Sequence, residues 1–306
     1  MMGFHFKMLA NKRALITGIT GFTGHYVAAE LAAAGFEVHG LGQHSSTLPR
    51  YSCVNLNDRE LLYAVIAEIN PKIVVHLAGL AFVDADSAEA FYHINTIGTR
   101  NLLEAIMHEA PQVKCILLAS SANVYGNSTE DVLTEVTLPN PGNDYAVSKL
   151  AMEYMARLWF DRLPIIITRP FNYTGVGQSE NFLLPKIVGH FQRGAKTIEL
   201  GNLDVFRDFS DVRAVANAYR RLIEVCPVGE TINVCSGKSY SLREVVEMVA
   251  KIVDYDINIQ VNPAFIRANE VRSLHGSAKR LQGIIGEWES PALFETLKWM
   301  CHSSCS

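Results

Sequence analysis

The sequence has no surplus of positive charge: 27 lysines and arginines stand against 31 aspartates and glutamates, leaving a net charge of −4. That balance excludes the sequence-independent attraction to phosphate backbones on which nucleic-acid binders depend. No apolar run approaches the roughly 20 residues that cross a bilayer, and the first residues, MMGFHFKMLANKR, are too short and too interrupted for a secretory signal. A cytoplasmic protein with neither nucleic acid nor membrane as partner is expected. Cysteine is sparse, six in 306 residues (Cys53, Cys115, Cys226, Cys235, Cys301 and Cys305). These thiols lie mostly in apolar contexts, which points to reduced, buried side chains and not to a disulfide framework. The terminal CHSSCS brings Cys301, His302 and Cys305 close together, but a zinc site needs four ligands and a second pair is missing, so no metal is expected. There is also no internal repeat and no low-complexity segment.

What the chain does have is alternation. Strand-length apolar runs recur as ALIT (14–17), EVHGL, IVVHLA (73–78), CILLAS (115–120) and PIIITR (164–169). Between them the spacing predicts helices over 26–34, 59–69, 97–109 and 145–160. Strand and helix in turn imply an α/β protein, a doubly wound parallel sheet with helices on both faces. After Arg169 the stretch RPFNYTGVGQSEN reads as a long loop that interrupts this order, of a length that often carries function. Shorter elements follow: a helix near 212–224, the strand TINVCS, a helix over 242–253 and a last helix near 292–300.

The first alternation contains TGITGFTGHYVAAEL, in which Gly18, Gly21 and Gly24 stand between a strand and a helix. One glycine permits a tight turn, another lets backbone amides approach a pyrophosphate, and the third lets helix pack on strand. The spacing is Gly-x-x-Gly-x-x-Gly and not the Gly-x-Gly-x-x-Gly of other dinucleotide sites, so a purely structural turn is the alternative reading. A second constellation bears on the choice. NDYAVSK places Lys149 four residues after Tyr145, on one face of a helix, where its charge favours the phenolate of a group that ordinarily titrates near 10. LLASSANVYG places a serine at a strand end. No carboxylate follows Leu41 at the end of the second strand to hold a ribose or repel a 2′-phosphate, while Gln43 and His44 offer donors there. NADPH is therefore expected over NADH, with NAD as the alternative because no arginine accompanies Gln43 and His44 to grip a 2′-phosphate.

With these motifs, and with HLAG (76–79), NTIGT (95–99) and RPFN (169–172), the chain resembles the extended short-chain dehydrogenase/reductase family along nearly its whole length. The resemblance implies a Rossmann-type domain from 1–169 and 211–235, with a smaller C-terminal α/β substrate-binding domain from 170–210 and 236–306. It implies a catalytic set of Ser121, Tyr145 and Lys149, with Ser121 preferred to Ser120 because it lies four residues before Tyr125. Ser121 would polarise a substrate carbonyl, Tyr145 would move the proton, and Lys149 would tune Tyr145 and bind the nicotinamide ribose. The cofactor residues implied are Gly18, Thr20, Gly21, Phe22, Thr23, Gly24, Gln43, His44, Asn55, Leu56, Leu77, Ala78, Gly79, Ala81, Tyr145 and Lys149. His76 and His93 are expected to pack or to support the cofactor loop, because no carboxylate cluster accompanies them to hold a metal.

RPFNYTGVGQ, GNLDVFRDFSDV and PAFIRANEVRSLHGSAKRL narrow the resemblance to the sugar-nucleotide branch, and within it to reductases of GDP-4-keto-6-deoxy-D-mannose. That likeness assigns Asn172, Lys186, Arg207, Arg267 and Glu270, with Ser121, to the substrate. Arginine forks suit a diphosphate, and a carboxylate suits ribose hydroxyls. The relatives commonly carry proline where this chain has Ala268. The expected reaction is reduction of a C4 ketone, in deoxysugar precursor synthesis. The alternatives are a 4-epimerase, a 4,6-dehydratase, a reductase of a dTDP- or CDP-linked sugar, or a non-catalytic dinucleotide sensor. Against dehydration, Ala122 and Asn123 stand where related dehydratases carry a glutamate, often preceded by an aspartate. A homodimer is expected too, through helices bearing Ile106, Met152, Met155, Leu158 and Trp159.

Overall fold

The computed structural model describes residues 12–81, 88–265 and 271–303. The chain begins with β1 (Arg13–Thr17), α1 (Phe22–Ala33), β2 (Glu37–Gly42), a short β3 (Tyr51–Cys53), α2 (Arg59–Ile69) and β4 (Ile73–His76). A helical stretch follows, made of α3 (Ala88–Phe91), a π-helical passage over Tyr92–Gly98, and α4 (Thr99–Glu109). Helix therefore precedes the predicted start at 97, because a widened π turn breaks the 3.6-residue apolar period on which that boundary rests. Next come β5 (Cys115–Ala119), α5 (Asp144–Arg157) and β6 (Ile165–Pro170).

Helix starts carry their own signals. Asp58, Asn143 and Asp211 each accept a backbone N–H of the first turn with the side chain, which satisfies a donor the helix itself leaves open. Asn70, in left-handed conformation, ends α2.

The principal sheet has seven parallel strands in the order β3-β2-β1-β4-β5-β6-β10, where β10 is Thr231–Val234. Leu15, Val74, Ile116, Ile165 and Ile167 face α2, α4 and α5, while Ile16, Val75, Leu117 and Ile166 face α1 and α7 (Val212–Val225). Both faces are covered, so the strands read as unbroken apolar runs and not as alternating ones. The strand order reverses between β1 and β4, and Thr17 at the end of β1 is paired with Leu41 on one side and His76 on the other. A crevice at the carboxyl ends of strands is expected at such a reversal.

The remaining elements are β7 (Asn172–Thr174), α6 (Leu183–Gln192), β8 (Thr197–Leu200), β9 (Phe206–Asp211), β11 (Ser239–Ser241), α8 (Leu242–Val253), β12 (Asn258–Val261), β13 (Ser273–Leu274), α9 (Lys279–Ile285) and α10 (Leu293–His302). Strands β11, β9 and β13 pair side by side, β7 pairs with β9, and β8 pairs with β12. Ile187, Phe191, Leu200, Phe209, Val245 and Leu297 form a core of their own beneath them. The predicted loop after Arg169 thus contains a strand, β7, too short for a period to register. Helix α8 starts with a reciprocal Ser241–Glu244 capping box.

Two expectations about side chains need correction. Ile106, Met152 and Trp159, placed on a dimer face, are buried in the core under α4 and α5. The helical spacing that marks them apolar marks a sheet-facing stripe, and the exposed apolar residues of these helices are Ile97, Val147, Tyr154 and Leu158. Of the thiols, Cys115 and Cys235 are buried as expected. Cys53 is exposed at the end of the edge strand, Cys226 and Cys301 are half-buried, and Cys305 lies outside the described residues. Among the described residues, no helix is long and apolar enough to cross a membrane, and no cluster of metal-ligating side chains occurs.

Ile116, fully buried in the middle of β5, tests this layering. Ile116→Ala should cost about 2–5 kcal/mol of stability, read from urea unfolding, and a loss under about 1 kcal/mol would contradict the packing.

Candidate active site

At the reversal, the three glycines do three separate jobs. Gly18 has φ +73°, and a Cβ there would lie 2.8 Å from the Ala78 nitrogen, so the turn after β1 touches the loop after β4. Its N–H donates to the Leu41 carbonyl at 2.7 Å. Gly21 caps the N-terminus of α1, whose first turn holds no acidic side chain. Gly24 lies so close to the strand end that a Cβ would meet the Gly18 and Ile19 carbonyl oxygens at 2.4 and 2.5 Å. Only glycine fits this cradle, and an anion at the helix N-terminus would meet open N–H groups and the positive end of the dipole. The cradle therefore fits the pyrophosphate of a dinucleotide.

The other residues expected at the cofactor occupy four settings. Thr20, Gln43, His44 and Asn55 are exposed at the ends of β1, β2 and β3. Gln43 and His44 lie 3.2 Å apart through their side-chain nitrogens, and the Tyr51 hydroxyl donates to the His44 carbonyl. Leu56 is buried in the core, where its carbonyl accepts from Asn101 at 3.0 Å. Phe22 stacks on Tyr173 of β7 with centroids 6.1 Å apart, and Thr23 Oγ1 is 2.8 Å from the Tyr173 hydroxyl. Leu77, Ala78, Gly79 and Ala81 form the loop after β4, with Leu77 and Ala78 half-buried and Gly79 and Ala81 exposed.

That loop is held by a relay of polar groups running under it. The Ala78 N–H donates to Thr17 Oγ1 at 3.2 Å, and Thr17 Oγ1 lies 2.7 Å from His76 Nδ1. On the other side, His76 Nε2 lies 2.8 Å from Thr99 Oγ1, which donates to the Asn95 carbonyl at 2.6 Å. Since Thr99 has spent its proton on a carbonyl, His76 must donate from Nε2 and accept at Nδ1: a neutral ring in a single tautomer. Burial, aided by the Lys149 charge, lowers its pKa to about 3. Asn95 completes the support, bonding the Leu80 N–H at 2.9 Å, the Leu80 carbonyl at 3.1 Å and Ser148 Oγ at 3.0 Å. His76 thus supports the loop, as expected, and His93 is an exposed side chain beside Glu89.

Ser121, Tyr145 and Lys149 come together on the far side of the same loop. Ser121 lies just past β5 and is buried; Tyr145 and Lys149 project from α5. The Tyr145 hydroxyl lies beside Ser121, whose hydroxyl favours the phenolate. Lys149 Nζ donates to the Ala119 carbonyl at 2.9 Å, and a Cβ on Gly79 would lie 3.1 Å from that ammonium. One electrostatic expectation is reversed. Burial pushes the Tyr145 phenol up to about 12, outweighing the Ser121 hydrogen bond that lowers it. Burial also pulls Lys149 down to about 8, with Glu153 opposing. Desolvation of the phenolate outweighs the stabilisation that the four-residue spacing suggests.

Of the residues expected at the substrate, Asn172 is half-buried on β7, and Arg267 and Glu270 lie outside the described residues, as does Ala268. Lys186 Nζ donates to the Glu199 carbonyl at 2.9 Å and sits 4.6 Å over the Phe265 ring. Arg207 Nη1 donates to the Phe206 and Arg272 carbonyls at 2.8 and 3.3 Å. Sequence reasoning passed over Tyr173, Glu153 and the part played by Arg169. Glu153 stands four residues after Lys149, so the same helical spacing that pairs Tyr145 with Lys149 points to it.

The fold and this cradle define a nicotinamide-dinucleotide-dependent enzyme of the extended short-chain dehydrogenase/reductase class. Residues 15–299 match the GDP-mannose 4,6-dehydratase family, and the chain belongs to it. It is 34% identical over 277 residues to a GDP-6-deoxy-D-talose 4-dehydrogenase of Aggregatibacter actinomycetemcomitans, covering 90% of this chain and 91% of that one. It is 35% identical over 289 residues to a GDP-6-deoxy-D-mannose reductase of Pseudomonas aeruginosa, again covering 90% and 91%. Among solved structures, one from Burkholderia cenocepacia J2315, described provisionally as an epimerase, has a TM-score of 0.89 at 52% identity, covering 95% of this chain and 97% of that one. RMD from Pseudomonas aeruginosa complexed with NADPH has a TM-score of 0.82 at 32% identity, covering 95% and 96%.

The depressed pKa of His76 carries a signed consequence. Its ring is neutral when folded, whereas an unfolded histidine takes up a proton below about 6.5. The unfolded state therefore binds more protons as pH falls from 6.5 towards 3, and stability falls with it, by up to about 1.4 kcal/mol per unit from this group. A His76→Gln variant should be less stable than wild type at pH 7 yet lose less between pH 6.5 and 5, where carboxylates titrate little. Parallel urea-midpoint slopes for the two proteins would contradict this.

Proposed function

We propose that the protein reduces the C4 ketone of GDP-4-keto-6-deoxy-D-mannose with NADPH, giving GDP-D-rhamnose. The observation that carries the reading is the hydrogen bonding of Ser121. Its Oγ accepts from both the backbone N–H and the side-chain amide of Asn123, each at 3.2 Å. Both lone pairs are engaged, so what Ser121 has left to offer is its proton. Tyr145 beside it holds its own proton up to about pH 12. Two O–H donors converge where a ketone oxygen must be polarised and then protonated.

When bound, the nicotinamide supplies hydride to C4. The protein's part is to place the ketone oxygen against Ser121 and Tyr145 and to hand over the Tyr145 proton as alkoxide character develops. A phenol with a raised pKa is in the right state for this, since an acid must still hold its proton when the hydride arrives. The phenolate left behind is stabilised by the Lys149 ammonium, which its pKa of about 8 keeps mostly charged at neutral pH. The residues between Ser121 and Tyr125 offer no base. Ala122 is apolar, and Asn123 is already a donor to Ser121, whereas dehydration needs a group that takes the C5 proton.

NADPH is supported by the absence of a carboxylate in the sequence after β2, by the Gln43 and His44 side chains exposed there, and by the Pseudomonas complex with NADPH. A GDP-linked substrate is supported by the two relatives named for GDP-6-deoxyhexoses. Those sugars differ only in configuration at C4, so both arise from one ketone by hydride delivery to opposite faces. In this reading Asn172, Lys186, Arg207, Arg267 and Glu270 hold the nucleoside diphosphate, from the lobe comprising 170–210 and 236–306. An epimerase is the second reading, after the description given to the Burkholderia structure; at C4 it would differ in consuming no cofactor.

The purified protein should oxidise one NADPH per GDP-4-keto-6-deoxy-D-mannose converted. Tyr145→Phe should keep the fold and lower kcat about 10²–10⁴-fold. Formation of a 4-keto sugar from GDP-mannose, or C4 epimerisation without NADPH oxidation, would overturn the reading.

A further inference from the structure

Tyr145, Lys149 and Glu153 follow one another at four-residue intervals along α5, so their side chains share one face of the helix. Each of them meets one of three consecutive residues at the end of β5. Tyr145 lies beside Ser121, Lys149 Nζ donates to the Ala119 carbonyl at 2.9 Å, and Glu153 Oε1 accepts from Ser120 Oγ at 2.5 Å. The first two belong to the reaction proposed above. The third does not, yet it has the most elaborate support.

Glu153 is completely buried and Arg169 nearly so. Arg169 grips the carboxylate as a fork, through Nε to Oε1 at 2.9 Å and Nη2 to Oε2 at 2.6 Å. Its remaining arm, Nη1, donates to the Tyr125 hydroxyl at 3.0 Å, which in turn donates to Asn233 Oδ1 at 2.7 Å. A buried ion pair is a poor way to gain stability, since apolar side chains of the same volume do as well or better. Its placement suggests a different use. Ser120 immediately precedes Ser121, and Glu153 sits one helical turn from Lys149, whose ammonium burial discourages and Glu153 favours.

We propose that Glu153 is a positioning residue: anchored by Arg169, it fixes the backbone that presents Ser121 and keeps Lys149 charged beneath the nicotinamide site. The other groups facing Lys149 do little of this. From β4, His76 is neutral, held by Thr17 and Thr99. From α5, Tyr145 keeps its proton. From β5 the Ala119 carbonyl accepts from Lys149, and the Asn95 side chain of the π-helical passage lies with Lys149 beside Gly79, neither of them charged. Arg169, from β6, is spent on Glu153 and Tyr125. Among the described residues, Glu153 is thus the carboxylate through which the Lys149 charge is maintained.

The test is the pH dependence of NADPH binding, followed by cofactor fluorescence, together with kcat/KM for the ketone. In the wild type both should decline as Lys149 deprotonates near pH 8. Glu153→Gln should bring that decline to lower pH, by about one unit. It leaves the buried Arg169 without its carboxylate, so Glu153→Met combined with Arg169→Met, which removes both charges, is the control for folding. The double variant should keep the lowered midpoint, because the carboxylate is still missing. Return of the midpoint to its wild-type pH in the folded double variant would reduce the pair to a structural tie and overturn the proposal. Only the kcat/KM arm rests on the reductase reading. Binding without turnover would refute that reading, while the binding midpoint would still decide the role of Glu153.

Discussion

Helix α5 lies close enough to the end of β5 that three of its side chains, one turn apart, meet three successive residues of the strand end, with Lys149 and Glu153 hydrogen-bonded to two of them. The rest of the site depends on this alignment. It needs a strand whose last residues leave the sheet in extended form, a helix that passes at side-chain distance, and an apolar face beneath both to fix that distance. Met152 and Ala156, on the buried side of α5, meet Ile116, Leu118, Ile165 and Ile167 of β5 and β6 in one cluster. Packing of this density makes the polar geometry above it reproducible, since a displaced core side chain would shift the helix against the strand.

The same alignment connects the two halves of the chemistry. Lys149 reaches the Ala119 carbonyl under Gly79, and Gly79 belongs to the loop that also closes on Gly18. The glycine cradle, the loop after β4 and the Tyr145–Ser121 pair are therefore neighbours through backbone contacts that admit no side chain. The neutral His76 ring braces this loop between two threonines, each of which has a defined direction of donation. A charged histidine there would be desolvated beside the Lys149 charge, which is the physical reason its proton affinity is so low.

Much of this was legible in the sequence because it rests on short-range rules. The unbroken apolar runs of β1, β4, β5 and β6 announced a sheet covered on both faces, and Tyr145 with Lys149 announced one helical face. The three glycines announced a turn between strand and helix, although Gly18 gave no sign that its partner would be Ala78, 60 residues on. What stayed hidden came from contacts distant in sequence. Glu153 and Arg169 look like any helical acid and strand-end base until the fold buries them together. Ile106, Met152 and Trp159 show an apolar stripe whose partner the sequence cannot name, and the partner turned out to be the chain's own sheet. Tyr145 was expected to be acidified because spacing reports proximity of charge, whereas desolvation depends on the whole surroundings. Strands β7, β11 and β13 are two or three residues long and carry no period at all.

In the proposed reaction this arrangement delivers a proton and a hydride across one carbonyl, with Ser121 and Tyr145 both donating towards its oxygen. Dehydratases and epimerases of the same fold also pass through a C4 ketone, so cofactor turnover alone distinguishes them less directly than the fate of the hydrogen does. The decisive measurement is isotopic: GDP-4-keto-6-deoxy-D-mannose is reduced with NADPH deuterated at the transferable C4 position of the nicotinamide, and the product is examined by NMR and mass spectrometry. The account predicts a single deuterium on the sugar's C4, in one configuration. Product carrying no deuterium at that carbon would contradict it.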